Sequence, residues 1–165
     1  MFNILKNRLL KGVVTEKDKE IEALGTELKK QIFNKFGRAF SFREVDTGSC
    51  GACESEIISA TNPIYDISRF GVHVAASPRH ADALVITGPV SKNMLLALKD
   101  TYDAMPAPKY VITAGNCALN GGIFKDSYYV ENGVGNILKV DAHIPGCPPT
   151  PTQIIISLLT FLKNL

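Results

Sequence analysis

Apolar positions recur along this chain in two rhythms. Between Thr15 and Lys35 they fall at Ile21, Leu24, Leu28, Ile32 and Phe33 among charged residues, the spacing of one helical face. That segment predicts an amphipathic helix with Gly37 as its C-cap. The rhythm then shortens to alternation, and Phe40-Ser41-Phe42-Arg43-Glu44-Val45 predicts a strand. Glu54 to Ala60 predicts a short helix stopped near Asn62-Pro63. Val72–Ala75, Ala83–Thr87, Tyr110–Thr113 and Ile137–Val140 predict further strands, with Ser91 as the N-cap of a helix reaching Asp103. The last segment sets Thr150 as N-cap before Pro151, then runs Ile154, Ile155, Ile156, Leu158, Leu159, Phe161, Leu162, which predicts a buried helix apolar nearly all round.

Strands alternating with helices, and strands as uniformly apolar as Ala83-Leu84-Val85-Ile86, predict an α/β, flavodoxin-like three-layer fold with a mostly parallel sheet covered on both faces. The organisation expected is an N-terminal amphipathic helical segment over 1–38 and a flavodoxin-like domain over 39–165. In such open sheets ligands sit in loops beyond the carboxyl ends of the strands. The four cysteines fall in such loops: Cys50 and Cys53 after the first strand, Cys117 after Val111-Ile112-Thr113, and Cys147 after Ile137–Val140.

Composition narrows the function classes. With 165 residues the chain is large enough to bury a core without staples, and 45% hydrophobic residues argue against disorder. A net charge of +2, spread thinly, excludes the basic footprint of a nucleic-acid binder. No stretch reaches the roughly 20 apolar residues of a membrane span. Phe2, Ile4, Leu5, Leu9 and Leu10 are interrupted by Lys6, Arg8 and Lys11, which is not the pattern of a secretion signal and implies a cytoplasmic chain. That same stretch, Met1 to Val14, either caps the domain or lies against a membrane or partner.

Four thiols admit several chemistries. Disulfides suit secreted chains, and unrelated core cysteines would fall inside strands and helices, whereas these lie in loops rich in Gly and Pro. A structural zinc site draws on two close pairs, and here only Cys50 and Cys53 are close. A redox dithiol fits Cys50-Gly51-Ala52-Cys53 between a strand and a helix but leaves Cys117 and Cys147 unexplained. A 4Fe-4S cluster uses all four, and Gly51, Gly115 and Gly146 let backbone N–H groups approach its negative charge. The cluster is the reading that accounts for most; zinc and the dithiol stand beside it.

Several motifs together are more specific. Asp46-Thr47-Gly48-Ser49-Cys50-Gly51-Ala52-Cys53 with Glu56, Pro78-Arg79-His80-Ala81-Asp82 leading into Leu84-Val85-Ile86-Thr87-Gly88-Pro89-Val90, Gly115-Asn116-Cys117 followed by Gly121-Gly122-Ile123-Phe124, and Ile144-Pro145-Gly146-Cys147-Pro148-Pro149-Thr150-Pro151 span most of the chain. They resemble the small subunit shared by group 4 membrane-bound nickel-iron hydrogenases and the complex I lineage. The resemblance implies one 4Fe-4S cluster on Cys50, Cys53, Cys117 and Cys147, next to the active site of a large subunit. It implies as partners a hydrogenase-type large subunit, a ferredoxin-like iron-sulfur subunit and membrane subunits, so that the chain is peripheral on the inner face of the cell membrane and not catalytic alone.

The first pair is two adjacent cysteines in complex I and a spaced pair in the hydrogenases, so Cys50-Gly51-Ala52-Cys53 points to the hydrogenase branch. The equivalent subunit of a quinone, sulfur or ferredoxin oxidoreductase without nickel is the alternative. Around the cluster, Glu56 matches a glutamate of the family and is expected near the large subunit, ahead of Glu54. Arg79 and His80 are expected in a loop that approaches the cluster, where a cation favours the reduced form. His73 and His143 carry no assignment.

Overall fold

The computed structural model describes residues 6, 7, 10–12 and 18–165. The Met1–Val14 stretch and the helix start at Thr15 lie largely outside them. Among the described residues the first long helix is α1 (Lys19–Phe36). Asp18 caps it by accepting from the N–H groups of Glu20 and Ile21 at 2.9 and 3.2 Å, and Gly37 closes it in the left-handed region. The elements that follow are β1 (Phe40–Asp46), α2 (Ala52–Ala60), β2 (Val72–Val74), β3 (Ala83–Thr87), α3 (Leu95–Asp103), β4 (Tyr110–Ala114), α4 (Asn116–Asn120), β5 (Ala142–Ile144) and α5 (Pro151–Asn164).

The five strands among the described residues form one sheet in the order β2-β1-β3-β4-β5, and every pairing is parallel. That is the flavodoxin-like order. Successive side chains in a strand point to opposite faces, and the core divides accordingly. Phe40, Phe42, Ala83, Val85 and Ile112 join Ile21, Leu28 and Ile32 of α1, Ile57 of α2 and Ile155, Leu158 and Leu162 of α5 on one face. Val45, Leu84, Ile86 and Val111 meet Leu98 of α3, Met105 and Val134 on the other. Helix α1 therefore shares a core with β1 and α5.

At the amino end of the sheet Asp82 joins three segments. Its carboxylate accepts from Arg38 at 2.5 and 3.0 Å and from the Ser41 N–H at 2.9 Å, and its carbonyl accepts from Tyr110 N–H.

Three predictions need correction. The fifth strand is Ala142–Ile144, not Ile137–Val140. Ile137 and Leu138 both donate from N–H to the Val134 carbonyl in a turn, and their side chains cover the second core; pairing begins only where Asp141 meets Val111. Ser91 does not cap α3, which starts at Leu95. Its N–H instead donates to the Thr47 carbonyl at 2.8 Å, tying the two loops together. Helix α5 has the predicted capping box of Thr150 and Gln153, but it is not buried all round: Ile156 is 43% exposed.

Candidate metal centre

Each cysteine loop is shaped by its own strand end. After β1, Asp46 accepts from the N–H groups of Gly48 and Ser49 at 2.8 and 2.7 Å, and Ser49 Oγ accepts from Gly51 N–H at 2.9 Å. These bonds turn the chain directly into α2, whose N-cap is Gly51 and whose first turn holds Cys53. Thr47, fully buried, fastens this loop to the end of β3. Its hydroxyl donates to the Thr87 carbonyl at 2.6 Å and accepts from Val90 N–H at 3.1 Å. Val90 has φ 60, an outlying conformation for a β-branched residue, and that bond holds it there.

The other two loops are joined by backbone. Gly115 N–H donates to the Ile144 carbonyl and Asn116 N–H to the Gly146 carbonyl, both at 2.9 Å, so the β4 and β5 ends advance together. Cys117 stands in the first turn of α4, and Cys147 in the loop before α5.

The result is one cavity of about 90 Å³ lined by all four cysteines with Ser49, Gly88, Asn116 and Gly146 among its walls. All four are free thiols; Cys50 and Cys147 are exposed, and Cys53 and Cys117 are half-buried. Burial pushes the Cys53 thiol up to about 12, with further contributions from Glu54 and the three other cysteines. Burial also raises Cys117. Four thiols lining one partly buried pocket need positive charge to be thiolates together, and an iron-sulfur cluster, were it bound, would supply that charge. Among the described residues no three His, Cys, Asp or Glu side chains are gathered closely enough to hold a single metal ion. The four thiols line one common space.

Glycine makes the space. A Cβ on Gly115 would stand 2.6 Å from Cys53 Sγ, and one on Gly122 would stand 2.8 Å from Cys117 Sγ. Gly146 is bare because the Pro149 backbone lies 2.5 Å from where its Cβ would be. Gly51 has open space beside it and serves through its left-handed backbone alone. Gly122 and Gly88 carry no assignment in the sequence reading, although both belong to its motifs.

The remaining predicted residues stand elsewhere. Glu56 lies half-buried on α2, outside the lining of the thiol cavity. Arg79 and His80 are exposed in a short turn, Pro78–His80, that leads into the amino end of β3, while the cysteines collect at the carboxyl ends. His143 is half-buried on β5, with Nδ1 2.9 Å from Thr113 Oγ1, and burial lowers its pKa.

Residues 50–161, the stretch holding every cysteine, match the family of the 20 kDa subunit of NADH ubiquinone oxidoreductase. The chain belongs to that family. Within this 20 kDa subunit family it is 41% identical to "Probable membrane-bound hydrogenase subunit mbhJ" of Pyrococcus furiosus, over 82% of this chain and 81% of that protein. It is 44% identical to a subunit of the NADH-quinone oxidoreductase of Clostridium beijerinckii, over 78% of this chain and 76% of that one. Among solved structures it resembles a chain of the membrane-bound sulfane sulfur reductase, an archaeal respiratory membrane complex, with 32% identity and a TM-score of 0.67 over 82% of this chain and 77% of that one. Family members of this kind are subunits of hydrogenase or oxidoreductase complexes at membranes. No helix among the described residues is long and apolar enough to cross a membrane.

Proposed function

We propose that this chain is the electron-transfer small subunit of a membrane-associated, complex-I-like nickel-iron hydrogenase, with one 4Fe-4S cluster on Cys50, Cys53, Cys117 and Cys147. When bound, the cluster would supply one-electron transfer. The observation that carries the reading is the single cavity lined by all four thiols, with Gly115 bare against Cys53. The dithiol reading uses two of these thiols and gives no reason for the other two to face the same space.

The chain's own residues do the holding. Cys53, in the first turn of α2, lies at the positive end of that helix, which favours a negative group there. Hydrogen bonds of the Thr47 and Asn116 loops fix the thiols relative to one another, and a rigid ligand shell limits rearrangement when charge arrives. In this reading the large subunit sits over exposed Cys50 and Cys147, and a ferredoxin-like subunit supplies the electrons. The membrane subunits hold the assembly on the inner face of the membrane.

The spaced pair Cys50-Gly51-Ala52-Cys53 favours the hydrogenase branch. Likeness to a sulfane sulfur reductase and to a quinone oxidoreductase chain supports a second reading, in which the neighbouring large subunit carries no nickel. Anaerobic purification of the whole complex separates them by its iron, acid-labile sulfide and nickel. Iron and sulfide with nickel support the hydrogenase; iron and sulfide without nickel support the second reading. Their absence from an intact complex sinks both.

A further inference from the structure

A second cavity, of about 160 Å³, opens beside α2 and is lined by Glu44, Glu54, Ile57, Ile58, Thr61 and Val74. Glu44 follows Phe40 and Phe42 in register on β1, so its carboxylate enters the core face where an apolar residue is the norm. It accepts one hydrogen bond, from Thr87 Oγ1 at 3.2 Å. Glu54 faces it from α2, and both its carboxylate oxygens are buried with no hydrogen-bond partner. A carboxylate removed from water without a donor is costly, and two facing each other cost more. Burial and the charges of Glu54 and Asp46 hold the Glu44 carboxyl above the usual carboxylate range.

The lining contains no cation. Arg43, on the same strand, projects to the other face and donates to the Ala76 carbonyl at 3.1 Å. A hard metal ion would want six or more oxygen ligands, and this lining offers only two carboxylates and one hydroxyl among aliphatic groups. The rim is apolar and exposed, with Ile58 at 68% and Val74 at 50%. Such a pocket suits a side chain with an aliphatic stem and a cationic head.

We infer that this cavity receives a lysine or arginine side chain from a partner subunit, its head between Glu44 and Glu54 and its stem against Ile58 and Val74. The inference rests on the reading of the chain as one subunit of a larger complex. It adds a docking point distinct from the thiol cavity, because none of the six lining residues touches that space.

The test is rebinding of the iron-loaded chain to its own complex stripped of this subunit, at low and high ionic strength. Glu54→Gln and Glu44→Gln are each expected to raise Kd roughly tenfold or more at low salt and to flatten its salt dependence. Ile58→Ser should weaken binding by a smaller factor, and Leu96→Ser, an exposed residue on α3 across the sheet, should leave it unchanged. Wild-type Kd and salt dependence in both glutamine variants, with full iron content, overturn the inference and leave the cluster reading intact. Lack of iron in the wild-type complex would instead strike the cluster reading, whatever the Kd values.

Discussion

Gly115 lies so close to Cys53 that a single added methyl group at 115 would stand 2.6 Å from the Sγ atom. Gly115→Ala should therefore lose most of its iron and acid-labile sulfide while the purified chain keeps its helical circular dichroism. Gly37→Ala is the control: it too has φ above zero, but nothing lies within 4 Å of its Cβ. It should cost about 1 kcal/mol of stability and no iron. Full iron in Gly115→Ala would show that the two loops can separate at no cost.

Thr47 both donates and accepts where the Cys50 loop meets β3. Thr47→Val keeps the shape and leaves the buried Val90 N–H without a partner, which costs about 1–3 kcal/mol. Thr47→Ser should recover most of that. Urea unfolding of the two variants checks the order.

Glu44 titrates with a pKa raised in the folded chain from an ordinary 4.5, first by burial. The protonated form is thus favoured by folding, so the stabilisation is complete below 4.5 and is lost as pH rises through the folded pKa. Glu44→Gln should stabilise the isolated chain at neutral pH, and the gain should vanish in acid. A thermal melt series from acid to neutral pH decides it. A gain of equal size at all pH values would assign the effect to packing.

The two ends of the Arg38–Asp82 pair are unequal. Arg38 is 61% exposed and Asp82 10%. Arg38→Ala removes a mostly solvated partner and should cost no more than about 1 kcal/mol. Asp82→Ala also strands the Ser41 N–H and should cost about 1–3 kcal/mol. Equal losses in chemical denaturation would show that the guanidinium, and not the backbone bond, carries the contact.

Much of the sheet was legible because its strands obey one simple rule. Phe40, Phe42 and Val45 sort to opposite faces as alternation requires, and Ala83-Leu84-Val85-Ile86, buried on both, reads as uniformly apolar. The rule misled where apolar residues pack from a turn, as Ile137 and Leu138 do. It was silent on Glu44, whose place in the alternation puts a carboxylate on a core face. The cysteines were legible as a set, since each follows a strand. Gly122 was not, because its value lies in a contact with Cys117 that only the turn of α4 creates.

The four thiols reach their cavity from three separate loops, and two of those loops are bonded only once β5 lies beside β4. A growing chain on the ribosome that has not yet placed β5 presents three of the four ligands and no closed pocket. With the proposed cluster, loading of iron would be deferred until the sheet is complete, so metal content would double as a record that synthesis and folding have finished.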